Sequence, residues 1–178
     1  MPLLKPDSDF EKDPRRRQEL RLRPVADAIY RQIFGTDIEL ERFDKEVMLD
    51  KRFAIDVQIR LRTGQILLGQ EKFLSAVYST FNSLTVEYMQ SAEEKGDWFK
   101  LASQLYLTGY ESGQGFEPWV LVNWPALVIA NLKKALRWHD GANKDGRAQA
   151  SFKWIDIRDI PVDCIIAQRQ IAPAKKDS

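Results

Sequence analysis

Three residues in this sequence have types and spacing suited to hydrolytic chemistry: Asp56, Gln70 and Lys72. Asp56 interrupts an alternating apolar stretch, Arg52 to Leu61 (RFAIDVQIRL), in which Phe53, Ile55, Val57, Ile59 and Leu61 fall on one side. Gln70 and Lys72 follow the apolar run Ile66-Leu67-Leu68 within Gln65 to Leu74 (QILLGQEKFL). Thr63-Gly64 between the two stretches is a turn signal, so the whole reads as a β-hairpin. A turn at that point sets Asp56 across from Gln70 or Lys72, and period-two alternation sends all three side chains to one face. Polar groups in an apolar strand need partners, a metal or water. The Asp56 carboxylate and the Gln70 amide oxygen are hard donors that suit Mg2+ or Mn2+, and the main-chain carbonyl of Glu71 could complete the shell. An ion there polarises a phosphodiester oxygen and acidifies a bound water. Lys72 is placed to orient that water or to stabilise the charge that grows on phosphorus-bound oxygen. The same pattern also admits a plain reading, a cross-strand Asp56–Lys72 ion pair on a solvated sheet face that contributes little to stability.

The elements that must position these residues are legible around them. Pro24 suits a first helical turn, with Val25, Ile29 and Ile33 following at helical spacing and Gly35 as a stop, which predicts a helix over about 24–34. Asp37 to Lys45 alternates in part and reads as a first strand. The segment 75–104 is harder to assign, strand-like at TVEYM and then a loop leading into a short helix. LYLTGY (105–110) and PWVLVNW (118–124) read as strands and Pro125 as the opening of a helix. HDGANKDGR (139–147) reads as a loop, SFKWIDI (151–157) as a final strand, and DIPVDCIIA as a short helical turn. Helix, strand and hairpin followed by further strands and a helix give an α/β domain with a mixed sheet.

The stretch FAIDVQIRLRTGQILLGQEKF resembles the active-site hairpin of the PD-(D/E)XK nuclease superfamily, which includes restriction endonucleases and Holliday-junction resolvases. That superfamily carries an Asp on one strand and (Asp/Glu)-x-Lys on the next. Gln70-Glu71-Lys72 is a Gln-x-Lys variant, as in the Mrr-like and NERD-type branches. The resemblance covers 21 residues closely and extends to element order. It implies a restriction-endonuclease-like mixed β-sheet flanked by helices, with Asp56 and Gln70 as metal ligands, Lys72 as the catalytic lysine and DNA as substrate. Two departures stand out: no Pro precedes the Asp, and the acidic residue of (Asp/Glu)-x-Lys is absent. Many members add an acid from the first helix, for which Asp27 and Glu19 are candidates here. Glu46 and Asp50 are candidates just before the Asp56 strand.

Charge and composition bound the alternatives. The 178 residues are 44% hydrophobic and 30% charged with a net charge of +1, enough apolar mass for one core and no overall basic bias. Residues 1–18 read as a flexible basic arm, 19–170 as a single domain and 171–178 as a polar tail. Arg15, Arg16, Arg17, Arg21 and Arg23 concentrate positive charge, either as a solvated helix face or as phosphate contacts. Lys133, Lys134 and Arg137, with Lys144 and Arg147, form a second basic cluster with the same two readings. The one cysteine, Cys164, lies in an apolar stretch, which excludes an internal disulfide and cysteine-based zinc sites. His139 is the only histidine and lacks the partners of a histidine-metal nuclease motif. The aromatic residues Trp98, Tyr106, Tyr110, Trp119, Trp124, Trp138 and Trp154 read as core. ESGQG is neither a P-loop nor a dinucleotide fingerprint, and no G-x-S-x-G elbow occurs. With no apolar run of membrane length and no apolar h-region near the N-terminus, a cytoplasmic setting is expected. Two rivals stay open beside the nuclease. One is a catalytically inactive nucleic-acid-binding module on the same fold. The other is an interaction protein, such as a homodimer or a subunit of a larger phage or mobile-element assembly.

Overall fold

The computed structural model describes residues 14–43, 52–91, 93–112, 115–142 and 150–170, without the side chains of residues 15 and 79–81. The proposed tail and most of the proposed arm, together with Glu46, Asp50, Lys144 and Arg147, lie outside them.

The first helix, α1, runs Pro14–Phe34 and begins ten residues earlier than Pro24 suggests. Pro24 sits inside it on an exposed side. An interior proline costs about 3 kcal/mol. That cost is offset because the buried stripe Leu22, Ala26, Ile29 and Tyr30 continues through it on the opposite face. Gly35 stops the helix as expected, with φ of 104°.

Strands β1 (Glu39–Arg42), β2 (Val57–Arg60) and β3 (Ile66–Leu74) form an antiparallel meander. The expected turn closes it: Gly64 has φ of 83° and donates its N–H to the Leu61 carbonyl at 2.8 Å. β2 is shorter than its alternation suggests. Arg52 and Phe53 are helical and Ala54 adopts φ of 47°, so Phe53 does not extend the buried side and stays exposed.

From β3 the chain passes through a 3-10 segment (Ala76–Phe81), β4 (Ser83–Met89) and a one-turn 3-10 helix (Asp97–Phe99). It returns as β5 (Leu105–Ser112), parallel to β3, then turns back through β6 (Gly115–Asn123). Helix α2 (Trp124–Leu132) follows, opened by Pro125 and by the Asn123 side chain, which accepts the Ala126 N–H at 3.1 Å. It ends before Lys133, and Lys134 turns away at φ of 58°, so neither belongs to a late helix face. The expected loop at 139–147 begins instead as β7 (His139–Ala142), which pairs with β8 (Ser151–Asp156). A 3-10 turn at Ile157–Asp159 leads into the DIPVDCIIA segment, which gives the expected short helical turn at Val162–Cys164 and then an unanticipated strand, β9 (Ile165–Arg169).

A six-stranded mixed sheet in the order β1-β2-β3-β5-β6-β9 forms the central layer. α1 covers one face over Val57, Ile59, Leu105, Leu107 and Leu121. The other face presents Tyr106, Val120 and Val122 to Leu84, Val86 and Ile155 of a three-stranded antiparallel sheet, β4-β8-β7, and to Trp124 and Leu127 of α2. Alternation along each strand therefore decides which core a side chain meets. Among the described residues no helix is long and apolar enough to cross a membrane.

Candidate functional site

The hairpin register pairs Val57 with Gly69, so Asp56, one residue before β2, stands opposite Gln70. Asp56 is locked there twice. Its N–H donates to the Gly69 carbonyl at 2.9 Å, and its Oδ2 accepts the Glu71 N–H at 2.9 Å. A carboxylate takes the place of a ladder carbonyl, which fixes it beside Gln70 without side-chain entropy to spare. Gly69 permits the close approach: a Cβ there would lie 2.9 Å from Val57 Cγ1, on the α1 face. Because Gly69 faces α1, Gln70 and Lys72 face the opposite side and Glu71 faces α1 again.

Gln70 is only 7% exposed and its Oε1 is buried with no hydrogen-bond partner. Its neighbour on β5 is Tyr106, and Lys72 neighbours Thr108, whose buried Oγ1 also lacks a partner. Lys72 is half-buried and makes no ion pair among the described residues, so the cross-strand Asp56–Lys72 bridge is not formed. A buried acceptor left open beside a lysine is costly unless something completes it. Among the described residues no three His, Cys, Asp or Glu side chains approach closely enough to share one ion. The donor set at hand is thus one carboxylate, one amide oxygen and a main-chain carbonyl. That set fits Mg2+, which keeps several waters.

Glu71 does different work. Its carboxylate points toward α1, is almost fully buried, and pairs with Arg42 of β1, which also holds Asp27 of α1. Burial pushes the Glu71 carboxyl above its ordinary range, against the pull of Arg42. Burial also opposes the charge on Arg42, yet Glu71 and Asp27 hold its proton more tightly than usual. Only the main-chain carbonyl of Glu71 therefore remains for a metal, and Asp27 is committed to this ionic clamp on the far face. Glu19 is likewise engaged, with Arg16 and Arg23, while Arg21 pairs with Glu111. Arg16, Arg21 and Arg23 are thus drawn into ion pairs, and Arg17 too has a contact of its own.

Asp97 is not among the residues that the sequence pattern singles out. It is 9% exposed, opens the 3-10 turn before β5, and lies 3.9 Å from Lys100. Asp97, Asp56 and Glu87 all act on the buried Tyr106 hydroxyl, which donates to the Thr85 carbonyl at 2.8 Å. Burial first, and then these carboxylates, hold the Tyr106 proton well above its ordinary range. The available hint was a carboxylate in GDWFKL, a segment otherwise carrying Trp and Leu. His139 takes no part, and its ring stacks on Trp154 with centroids 4.3 Å apart. Tyr106, Tyr110, Trp119 and Trp124 are buried core, as their spacing suggests, whereas Trp98, Trp138 and Trp154 are half-buried.

Compared with protein-family models, with curated proteins and with solved structures, the chain has no significant match.

Proposed function

We propose that this chain is a metal-dependent nuclease with a restriction-endonuclease-like core that hydrolyses phosphodiester bonds in DNA. The observation that carries the reading is the buried Gln70 Oε1, without a hydrogen-bond partner among the described residues, set opposite a carboxylate locked in place and one alternation from a lysine that makes no ion pair among the described residues. Support also comes from element order: a helix, an antiparallel β1–β2–β3 meander, and a following strand parallel to β3. The crossover between β3 and β5 carries 3-10 turns and β4 in place of the usual helix.

Asp56, the Gln70 amide oxygen and the Glu71 carbonyl would hold Mg2+ or Mn2+, which supplies Lewis-acid polarisation and an acidified water when bound. Asp56 is preorganised for this by the Glu71 N–H. Lys72 orients the attacking water and offsets the negative charge that develops on the scissile phosphate. The arginines Arg15, Arg16, Arg17, Arg21 and Arg23 contact phosphates, and those bound to Glu19 or Glu111 exchange a carboxylate for a phosphate when they do.

The test is cleavage of labelled duplex, single-stranded and branched DNA with Mg2+ or Mn2+, comparing the wild type with Asp56→Ala and Lys72→Ala. Cutting by the wild type alone, abolished by EDTA, supports the assignment. Salt-sensitive binding that persists in all three proteins without any cutting would make this a non-catalytic binding module instead.

A further inference from the structure

We infer that the outward face of α2 is the interface of a symmetric dimer with a second copy of this chain. The helix reads WPALVIANL, in which Asn131 is the only residue that is not apolar. A surface helix normally turns a polar stripe to water, and one that is apolar all round belongs in a core. Trp124 and Leu127 meet that expectation on one side, where they pack with Val122 and Cys164. On the other side Pro125, Val128, Ile129 and Leu132 follow at i, i+3, i+4 and i+7, and all four are exposed, Leu132 to 77%.

Val162 adds a fifth apolar side chain, 78% exposed. Its 3-10 turn ends at Cys164, which packs with Trp124 and Leu127, and the next residue, Ile165, pairs with Val122 just before the helix. Val162 therefore lies by the start of α2, whereas Leu132 lies at its end, about 12 Å along the axis. Singly scattered apolar residues on a surface need no explanation, but a contiguous set marks an interaction surface.

The charges at the two ends of the stripe identify the occupant. Lys133 and Lys134 follow Leu132 at the end of the helix, and Asp159 and Asp163 flank Val162 in the chain. All four are exposed, and none makes an ion pair among the described residues. A two-fold axis through the middle of the stripe brings two copies of α2 together antiparallel. It sets Leu132 against Val162 across the axis, and Lys133 and Lys134 against Asp163 and Asp159, each contact formed twice. A patch of one sign suits an anionic membrane, whereas opposite signs at the ends of an apolar centre suit a copy of themselves. One short helix face is below the size of a standard interface, so association is expected in the micromolar range.

The experiment is sedimentation velocity of the full chain from about 5 to about 500 µM, at low and at high salt. The proteins are wild type, Leu132→Asp, Lys133→Glu/Lys134→Glu and Asp159→Lys/Asp163→Lys, with thermal melting as a check of folding. The two charge-reversed variants are run alone and as an equimolar mixture. The wild type is expected to pass from monomer to dimer, less readily at high salt. Leu132→Asp is expected to weaken dimerisation by at least about tenfold, since the residue enters the interface twice. Each charge-reversed variant alone opposes like charges across the axis and is expected to stay monomeric. Their mixture is expected to form a heterodimer, because reversal at opposite ends restores both sets of contacts, a recovery that damage to the fold cannot produce. A wild type that stays monomeric throughout overturns the inference, and its binding to phosphatidylserine vesicles would make the face a membrane contact instead. A dimer unchanged by Leu132→Asp, or a mixture that fails to associate, overturns it as well. None of these variants alters Asp56, Gln70 or Lys72, so either result leaves the nuclease reading as it stands.

Discussion

Removing the Arg42 guanidinium, as in Arg42→Met, leaves the Glu71 carboxylate facing α1 with its cation gone and nowhere to go, since its side chain is 2% exposed. Breaking a buried pair from one side costs about 3–5 kcal/mol, because a charge stays behind without compensation. For a chain of this size that corresponds to a fall of roughly 6–20 °C in melting temperature. The loss has a defined pH signature. Glu71 already titrates above its ordinary value because burial outweighs the attraction of Arg42. Without Arg42, only the Tyr30 hydroxyl and the more distant Arg23 oppose burial, and its pKa climbs further. A carboxyl whose folded pKa is raised binds more protons in the folded than in the unfolded state throughout the window between the two values. Stability in that window falls as pH rises and returns as pH drops, at up to about 1.4 kcal/mol per pH unit. Urea unfolding followed by tryptophan fluorescence from about pH 7.5 down to about pH 5 reads this slope. The variant should be weakest at neutral pH and recover toward acid more steeply than the wild type. Arg42→Met/Glu71→Met should regain most of the loss, because it removes the stranded charge. A cost below about 1 kcal/mol with no change in pH slope, or a double variant no better than the single, would refute the reasoning about the clamp.

Asp56→Asn keeps an oxygen for the Glu71 N–H, so it should stay within about 1 kcal/mol of the wild type in urea while losing cleavage and Mn2+ binding; a loss of folding instead would reassign Asp56 as structural. Gly69→Ala places a Cβ 2.9 Å from Val57 Cγ1 in the strand that carries Gln70, and should cost about 1–3 kcal/mol by thermal melting. Asn123→Ala removes the cap that accepts the Ala126 N–H, with an expected loss of about 1 kcal/mol, whereas Asn123→Asp should retain most of the stability.

The hairpin was legible because its information is local. Alternation, a Thr-Gly turn and the offset between Asp56 and Gln70 are all contained in one short stretch, and the structure sets those two residues opposite each other. The same local logic fails before Asp56, where a positive φ at Ala54 breaks the extended backbone without any mark in the apolar pattern. It also fails at His139–Ala142 and Ile165–Arg169. Those strands are short and half-exposed, and they exist only because β8 and β6 offer them an edge. Pro24 predicted a helix start, but the stripe from Leu22 to Tyr30 found a sheet to cover, and packing outweighed the proline.

For the candidate site the division is similar. The sequence by itself placed Asp56, Gln70 and Lys72 on one hairpin and one face, because side-chain direction in a strand follows from counting. The tertiary structure alone decided that Glu71 is tied to Arg42 and Asp27, since β1 and α1 approach it from distant parts of the chain. It alone set Tyr106 and Thr108 beside Gln70 and Lys72, through a parallel pairing whose partners lie 36 residues apart. Asp97 follows the same rule. Its position depends on which carbonyls the loop before β5 can reach, and no periodicity in its own segment records that.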